Sequence, residues 1–450
     1  MDELIIKQSH FYQNKNCHSI IEEIENRYSY IDETKYFGNL VNFSTAKKEP
    51  YQRWVRYREG YSTVLVNELI RRSGVDFKQH FIADPMVGSG STIISATRCG
   101  FDSFGVDINP YSQLIVNAKL LSPSEKDICD IKEFLESLPA NFLTTVEEKP
   151  PLSEYFPEDN LINLLELRAK IKALSNSTSK QILEAAWFFI LESCSNRKKD
   201  GNGLATRSAP IRDVIAYFKE VLGEIISDYL TCPLGTNTVS TVYTGSACDF
   251  SKYSSDFEKR SKKKLGAIIF SPPYANAFDY YESYKMELLF GQLYDPSDYQ
   301  LHKKEQIRNY RISYGKELHC EYPVVERLCE AINEAIPQKE LITGKRDART
   351  RLMPNMLRGY FTDMGRVLKE LYTALDSNGH CYIVVDQSAY VGVIVPTDVI
   401  LANIAENLGF NINSIIICRK ASTSAQQRKA YPYLGSTLRE SIICLQKKQL

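Results

Sequence analysis

The chain has 450 residues, of which 43% are hydrophobic and 24% are charged. This is ordinary globular composition, and it excludes wholesale disorder, collagen and other fibrous proteins. Because 55 basic side chains balance 55 acidic ones, any binding of nucleic acid must depend on local basic patches and not on a long-range positive field.

The cysteines, histidines and apolar stretches predict the cellular compartment and the absence of a bound metal. The eleven cysteines are dispersed without a C-x-x-C pair, which predicts reduced thiols in a reducing compartment and no zinc site. The six histidines show no ligand spacing, so no metal is expected. No basic leader precedes an apolar segment, and no window approaches roughly 18 apolar residues. We therefore expect a cytoplasmic protein without a membrane partner.

Four short β-rich runs each end in a polar residue, and helical patterns lie between them. The runs end before Asp84, Asp107, Ser271 and Asp386. Helical patterns cover residues 89–98, 111–120 and 360–375. This alternation predicts an α/β fold with a mostly parallel twisted sheet of βαβ units. In such a sheet ligands bind at the carboxyl ends of the strands, where the four polar residues lie.

Two longer stretches do not follow this pattern. Residues 122–237 are largely helical in pattern, most clearly at 160–173 and 179–193, and they contain a basic loop with glycines at 196–203. The second stretch, 292–355, is rich in lysine and arginine. We interpret both as insertions into the sheet domain.

The first run leads into a glycine-rich turn, Asp84-Pro85-Met86-Val87-Gly88-Ser89-Gly90-Ser91-Thr92, and a helix begins at once. Glycine lets a ligand lie directly against the backbone at such a turn, because any side chain would block it. A turn that is only tight, without a ligand, is the alternative. The motif therefore indicates a ligand site but does not establish one.

An acid ends the second run, in Asp107-Ile108-Asn109-Pro110. A carboxylate at the tip of this strand is placed to accept hydrogen bonds from both hydroxyls of a ribose. This predicts a cofactor that contains a nucleoside. A role for Asp107 as the cap of the following helix is the alternative.

The third run ends in Ser271-Pro272-Pro273-Tyr274. Two prolines fix a rigid turn, and a hydroxyl and a carbonyl then converge beside an aromatic ring. Such acceptors suit a planar amine: they favour a pyramidal nitrogen whose lone pair can attack a methyl sulfonium in line. A proline turn that simply ends a strand is the alternative.

Together these motifs resemble those of the S-adenosylmethionine-dependent DNA amino-methyltransferases, which modify N4 of cytosine or N6 of adenine. The resemblance covers about residues 44–120, 240–292 and the strands after 356, and it implies a Rossmann-like methyltransferase fold. The segment Tyr57 to Ser62 is similar to a further cofactor motif. So is Thr244 to Asp249, although Cys248 stands where the family commonly has an arginine.

Site residues follow from the motifs and the resemblance. Implied contacts to S-adenosylmethionine are Tyr61, Asp84, Pro85, Gly88, Gly90, Thr92, Asp107, Asn109 and Asp249. In the catalytic turn, Ser271 and the Pro272 carbonyl would hold the amine, Pro273 would keep the turn rigid, and Tyr274 would stack on a base rotated out of the duplex.

The expected organisation has six segments. Residues 1–43 form an N-terminal extension, 44–121 the cofactor-binding half and 122–238 a helical insertion. Residues 239–291 form the catalytic half, and 292–355 are a basic insertion that is the candidate for target recognition. Residues 356–450 complete the sheet.

Three basic groups are candidates for contacts with double-stranded DNA. They are Lys198 and Lys199 in the basic loop, Arg349 and Arg351 in the cluster that starts at Lys345, and Arg419 and Lys420 with Arg428 and Lys429. Charge runs are also common on solvated surfaces, and this remains the alternative for each group.

The predicted function is a site-specific DNA methyltransferase acting on cytosine N4 in a restriction-modification or defence system, with a possible cognate restriction endonuclease. Serine in the first position of the catalytic turn is, by the resemblance, more typical of cytosine N4 enzymes. Adenine N6 methylation, an RNA amino-methyltransferase and a non-catalytic nucleic-acid-binding protein on the same fold are the alternatives. The recognition sequence and the oligomeric state stay open.

Overall fold

An eight-stranded sheet forms the centre of the protein in a computed structural model that describes residues 15–41, 48–55, 57, 60–142, 148–175, 177–200, 203–235, 237–276, 278–309, 318–344, 346, 348–421 and 425–448. The strands of the described chain, in sequence order, are β1 Tyr30–Asp32, β2 His80–Asp84, β3 Ser103–Asp107, β4 Arg197–Asp200, β5 Gly203–Thr206, β6 Ser240–Thr244, β7 Lys264–Phe270, β8 His380–Asp386, β9 Ser388–Tyr390, β10 Val393–Val395, β11 Phe410–Lys420 and β12 Arg439–Lys447.

The strand order in this sheet is β1-β11-β12-β8-β7-β2-β3-β6. Only β12 runs antiparallel to its neighbours, and every other neighbouring pair is parallel. The central strands are buried on both faces, which is why they appear in the sequence as continuous apolar runs. The structure confirms the predicted Rossmann-like α/β fold with a mostly parallel sheet.

Helices cover both faces of the sheet and build the insertions. Their bounds are Lys15–Glu25, Thr34–Phe37, Thr63–Ser73, Ser91–Arg98, Pro110–Leu120, Glu125–Glu136, Glu158–Ala173, Thr178–Ile190, Val214–Thr231, Phe250–Ser261, Tyr280–Lys285, Pro296–Lys303, Pro323–Thr343, Met353–Ala374, Thr397–Asn407, Ala425–Ala430 and Leu434–Thr437. Shorter turns are the 3₁₀ turns Ser153–Tyr155, Ala247–Asp249 and Thr350–Leu352 and the π-helical turn Met286–Phe290. Among the helices of the described ranges, none is long and apolar enough to cross a membrane.

The N-terminal segment contributes a strand to the sheet. β1 lies parallel to β11 at the edge, with Tyr30 opposite Ile415. The helix Lys15–Glu25 packs its buried face, including Ile21, into the same core as β8 and β11. These residues therefore extend the sheet domain by one edge strand.

The first insertion builds a second core beside the sheet. Trp187 and Phe290 stack with ring centroids 6.0 Å apart, and the Trp187 indole donates to the Leu164 carbonyl at 2.8 Å. Because Phe290 belongs to the chain that follows the catalytic turn, this core ties the insertion to the functional half of the sheet domain.

The structure corrects the prediction that residues 196–203 form a basic loop, since two strands form a hairpin there. Strands β4 and β5 pair antiparallel, with Arg197 opposite Thr206. Its basic side chains pack on aromatic rings: Arg197 lies 4.6 Å from the centre of the Tyr155 ring and Lys199 lies 4.1 Å from the centre of the Tyr284 ring. Gly201 and Asn202 lie outside the described residues.

Candidate active site

The carboxyl ends of β2, β3, β6 and β7 border one cleft of about 1000 Å³, measured with its open mouth. Five of the predicted cofactor residues line it: Tyr61, Pro85, Gly88, Asp107 and Asn109. The same cleft is lined by Ser271, Pro272 and Pro273 of the predicted catalytic turn. The fold therefore brings the three sequence motifs to a single site.

The glycine turn depends on glycine for its backbone conformation and for its packing. Gly88 has a φ of +50° and Gly90 a φ of +88°, which are unfavourable for other residues. A Cβ at Gly88 would lie 2.9 Å from the Tyr57 ring, and one at Gly90 would lie 2.6 Å from Val116. Gly88 lines the cleft, whereas Gly90 starts the following helix and packs behind the turn.

Asp107 connects the glycine turn to the second strand. Its Oδ2 accepts from the Gly88 backbone N–H at 2.8 Å, and its Oδ1 accepts from the Asn109 N–H at 2.9 Å. Asn109 in turn caps the next helix by accepting the Tyr111 N–H at 3.0 Å. Burial raises the pKa of Asp107, although both backbone donors act against that rise. The carboxylate is thus fixed at the cleft by backbone groups.

Asp84 and Thr92 lie behind the cleft and hold Tyr61, which lines it. The Tyr61 hydroxyl donates to Asp84 at 3.2 Å and lies 2.7 Å from the Thr92 Oγ1. Thr92 also donates to the Ile269 carbonyl at 3.0 Å. Burial raises the pKa of Asp84 to about 7. Of the similar segment Tyr57 to Ser62, Arg58 and Glu59 lie outside the described residues.

Asp249 was predicted to contact the cofactor but is not among the residues that line the cleft, so this contact stays a prediction. Ser246 and Ala247 line the cleft, but Asp249 is exposed on the 3₁₀ turn that follows. The turn is capped by Ser246, whose hydroxyl accepts the Cys248 N–H at 3.2 Å.

Tyr274 lies beside the cleft with its ring buried. Its exposed fraction is 8%, and the ring packs in the main core. Its hydroxyl accepts from the Ser271 hydroxyl at 3.5 Å and donates to the Glu440 carboxylate at 3.3 Å. In this arrangement the ring does not face the open cleft, so the stacking role of Tyr274 stays a prediction.

One wall of the cleft comes from the second insertion and was missed by the sequence analysis. Glu305, Gln306, Ile307 and Asn309 line it. Arg308 anchors this segment through its backbone N–H and its guanidinium, which donate to Asp363 at 2.6 to 3.0 Å. In the sequence this segment stands out only by its positive charge. That charge does not show that Arg308 anchors one wall of the cleft.

Asn309 stands out within this wall because its amide is almost completely enclosed. The residue is 2% exposed, and its Nδ2 is buried without a hydrogen-bond acceptor in the described part of the chain. An unsatisfied buried donor costs about 1 to 3 kcal/mol. Asn309 is therefore a donor that a ligand in the cleft could satisfy.

The basic residues predicted to contact DNA fall into two groups. Arg349, Lys420, Arg428 and Lys429 are exposed, and Lys198 is half-buried. The other three form ion pairs: Lys199 with Glu287, Arg351 with Glu340 and Arg419 with Glu440. Lys345 lies outside the described residues.

The position of Lys199 does not fit its predicted contact with DNA. Its side chain is 7% exposed, and its Nζ lies 2.5 Å from the Glu287 Oε1. Glu287 is itself 2% exposed, so both charges are removed from solvent. Because the ammonium is enclosed by Glu287 and Tyr284, it cannot reach a phosphate.

Disulfides and metal clusters are absent from the part of the chain that the structure describes. None of the eleven cysteines forms a disulfide there. Within the same ranges, no group of three or more His, Cys, Asp or Glu side chains could hold a metal ion.

Known proteins similar to this chain are methyltransferases. M.BsoBI of Geobacillus stearothermophilus, a type II methyltransferase, is 26% identical over 94% of this chain and 91% of its own. The type II methyltransferase M.AvaI, from a Nostoc species and from Anabaena variabilis, is 25% identical over 86% of this chain and 85% of its own. No protein-family profile matches the chain.

The cofactor turn, the acid at the second strand and the Ser-Pro-Pro-Tyr turn line or adjoin one cleft, and the similarity to these relatives spans nearly the whole chain. The predicted resemblance to the S-adenosylmethionine-dependent DNA amino-methyltransferases is thereby confirmed, and S-adenosylmethionine is the cofactor of this methyltransferase. A solved rRNA methyltransferase, aviRa from Streptomyces viridochromogenes, overlaps 86% of the methyltransferase at 8% identity with a TM-score of 0.27, which is too low to support an inference.

Proposed function

We propose that this methyltransferase transfers a methyl group from S-adenosylmethionine to the exocyclic N4 of cytosine in duplex DNA. The observation that carries the proposal is the meeting of two turns at one cleft. The glycine turn with Asp107 forms one side, and the Ser271-Pro272-Pro273 turn forms another. A nucleoside cofactor and a planar amine would therefore be held next to each other.

The residues of the cleft fit the cofactor. Each carboxylate oxygen of Asp107 already accepts one backbone N–H, and each has capacity for a further bond to a ribose hydroxyl. The bare backbone at Gly88 allows close approach, and Asn309 offers its buried donor. When bound, S-adenosylmethionine supplies a methyl group activated by a sulfonium centre.

The catalytic turn would bind the amine through acceptors. The hydroxyl proton of Ser271 is directed to Tyr274, so the lone pairs of Ser271 remain for an amine hydrogen, and the Pro272 carbonyl would accept the second. Because the lone pair of an exocyclic amine is delocalised into the ring, acceptors that favour a pyramidal nitrogen increase its nucleophilicity.

Cytosine is the proposed base because the first residue of the turn is serine. A neutral hydroxyl is a weaker acceptor than the carboxylate or amide that adenine enzymes of the family mostly carry, and the resemblance associates serine with cytosine N4. The target nucleotide must leave the base stack, because its amine cannot be reached inside the duplex.

Type II methyltransferases are named among the similar proteins, which supports a role in a restriction-modification system with a cognate endonuclease. The exposed Arg349 and Lys420 and the half-buried Lys198 are the proposed phosphate contacts. The described second insertion both lines the cleft and carries Arg349, so it is the proposed target-reading segment.

Nucleoside mass spectrometry tests the proposal. Duplex DNA treated with the protein and S-adenosylmethionine should contain N4-methylcytosine, and DNA treated with Ser271→Ala protein should contain much less. N6-methyladenine as the only product would overturn the choice of base, and absence of any methylated nucleoside would overturn the activity. Sequencing of modified bases in host DNA would then give the recognition site.

A further inference from the structure

Two hydrogen bonds lead from the catalytic turn into the interior of the sheet domain. The Ser271 hydroxyl donates to the Tyr274 hydroxyl at 3.5 Å, and the Tyr274 hydroxyl donates to the Glu440 Oε1 at 3.3 Å. Both donors point in the same direction, from the cleft towards Glu440. A carboxylate thus lies at the inner end of a chain that starts at the proposed amine site.

Glu440 is held in the interior by its neighbours on the sheet. It lies on β12, opposite Asp386 of β8 and opposite Arg419 of β11. Glu440 is 2% exposed, and its Oε2 accepts from the Arg419 Nε at 2.5 Å. Because Arg419 occupies Oε2, the other oxygen is directed to Tyr274.

Arg419 has a structural explanation that differs from the predicted DNA contact. A buried carboxylate without a cation would be strongly unfavourable. The Arg419 side chain is 39% exposed, and its guanidinium pairs with the carboxylate of Glu440. Its charge therefore stabilises a buried carboxylate, while part of the side chain stays open to solvent.

Methylation of an amine leaves one proton too many on the nitrogen. We propose that Glu440 accepts this proton through Ser271 and Tyr274, an inference that rests on the proposed function. The N–C bond forms as the C–S bond breaks, and sulfur keeps the electron pair of that bond. The amine proton passes to Ser271 Oγ, the Ser271 proton to Tyr274 Oη, and the Tyr274 proton to Glu440 Oε1.

Charged residues on both neighbouring strands lie next to Glu440. Arg419 of β11 donates to its carboxylate, and Asp386 of β8 is its partner in the strand register. The thiol of Cys418 on β11 also lies within electrostatic reach of Glu440. Glu440 would not contact the substrate. It would act through Tyr274, as the residue that positions the relay and accepts its proton.

The experiment compares Tyr274→Phe, Glu440→Gln and the double variant. Both changes keep the shape of the side chain and remove one member of the relay. Single-turnover methylation should fall about 100-fold in each, the lower end of what a general base contributes. The double variant should be no slower than the slower single one, because residues that act as one unit are not additive.

Three further measurements accompany the rates, and of these the pH profile separates a relay from a packing effect. The rate of the wild type should fall at acid pH as Glu440 is protonated, and Glu440→Gln should lose that dependence. Urea midpoints of the four proteins without cofactor should shift non-additively, because the bond between Tyr274 and Glu440 couples them. Binding of S-adenosylmethionine and of DNA should stay within about threefold of the wild type, a range that corresponds to less than the usual worth of one hydrogen bond.

Tyr390→Phe is the matched control. Its hydroxyl donates to the Ala275 carbonyl at 2.8 Å, so it contacts the same turn but leads away from Ser271. The control should keep the wild-type rate and pH profile. Unchanged rates in Tyr274→Phe and Glu440→Gln, or additive losses in the double variant, would overturn the relay. If the wild type still forms N4-methylcytosine, only the relay fails, and a wild type without product refutes the proposed function instead.

Discussion

The backbone N–H of Gly88 donates a hydrogen bond of 2.8 Å to the carboxylate of Asp107. Two motifs that lie on separate strands are therefore joined before any ligand arrives. The acid holds the glycine turn in shape, and the turn fixes the orientation of the acid. Asp107 thus has a structural and a proposed cofactor-binding role at once.

Replacement of Asp107 by alanine is expected to weaken the binding of S-adenosylmethionine by about 1.5 to 3 kcal/mol, the cost of losing charge-assisted hydrogen bonds. Titration calorimetry on the folded variant measures this directly. Asp249→Ala is the matched control, because Asp249 is an exposed acid of a predicted cofactor motif outside the cleft. Equal losses in both variants would contradict the placement of the site.

Four strands of the sheet could be predicted because each is marked by a pattern within its own short segment of sequence. β2, β3, β7 and β8 are short apolar runs, and the polar residue after each run marks where the strand ends. β1 could not be predicted, since it has three residues and its pairing with β11 depends on a partner nearly 400 positions away. Non-local pairing of this kind leaves no pattern in the segment itself.

Charge was the weakest guide to the site, because the partner of a basic residue is not visible in the sequence. Lys199 and Arg419 were expected to face phosphates, but Lys199 is buried against Glu287, and Arg419, which is 39% exposed, pairs with Glu440. Arg308 anchors a wall of the cleft on Asp363, 55 positions away. By contrast, Gly88 and Asp107 could be found because strand ends and turns have local requirements.

Arg349 and Lys199 should behave differently in DNA binding. Arg349→Ala should flatten the dependence of binding on salt, by a log-log slope of about 0.9 if one phosphate contact is lost. Lys199→Met should leave that slope unchanged but lower the free energy of unfolding by about 3 to 5 kcal/mol, because Glu287 is left buried without its cation. Fluorescence anisotropy at several salt concentrations and urea unfolding provide the two measurements.

A loss of salt dependence in Lys199→Met with normal stability would place the hairpin β4–β5 on the DNA. An unchanged slope in Arg349→Ala would remove Arg349 from the DNA surface. The remaining exposed candidates, Lys420, Arg428 and Lys429, would then be the next residues to replace.

Asn309 should show opposite effects on stability and on function. Asn309→Leu removes a buried donor that has no acceptor among the described residues, so the unliganded protein should become more stable by about 1 kcal/mol. Turnover should fall, because the donor would no longer serve a ligand in the cleft. Thermal unfolding without ligand and steady-state kinetics measure the two effects, and a variant that is less stable with normal turnover would contradict both.

Lys119 should make stability depend on pH. It is fully buried under the glycine turn, where its Nζ donates to the Ser89 carbonyl at 2.7 Å. Burial, with a smaller effect of Arg98, lowers the pKa of Lys119 to about 7. In the unfolded chain a lysine has a pKa of about 10.4, so between these values the unfolded chain binds a proton that the folded protein lacks.

Stability should therefore rise with pH between about 7 and about 10, by up to about 1.4 kcal/mol per pH unit from this group. Below about pH 7 Lys119 is protonated in both the folded and the unfolded protein. The full cost of burying its charge is then present and does not change with pH. Lys119→Met should lose this slope, so its free energy of unfolding should exceed that of the wild type most at pH 6.5 and least at pH 9.5. The exposed Lys420→Met should keep the wild-type slope. Parallel pH profiles for the wild type and Lys119→Met would show that Lys119 stays charged in the folded protein, and the Ser89 carbonyl would then have to stabilise a full ammonium charge beneath the cofactor turn.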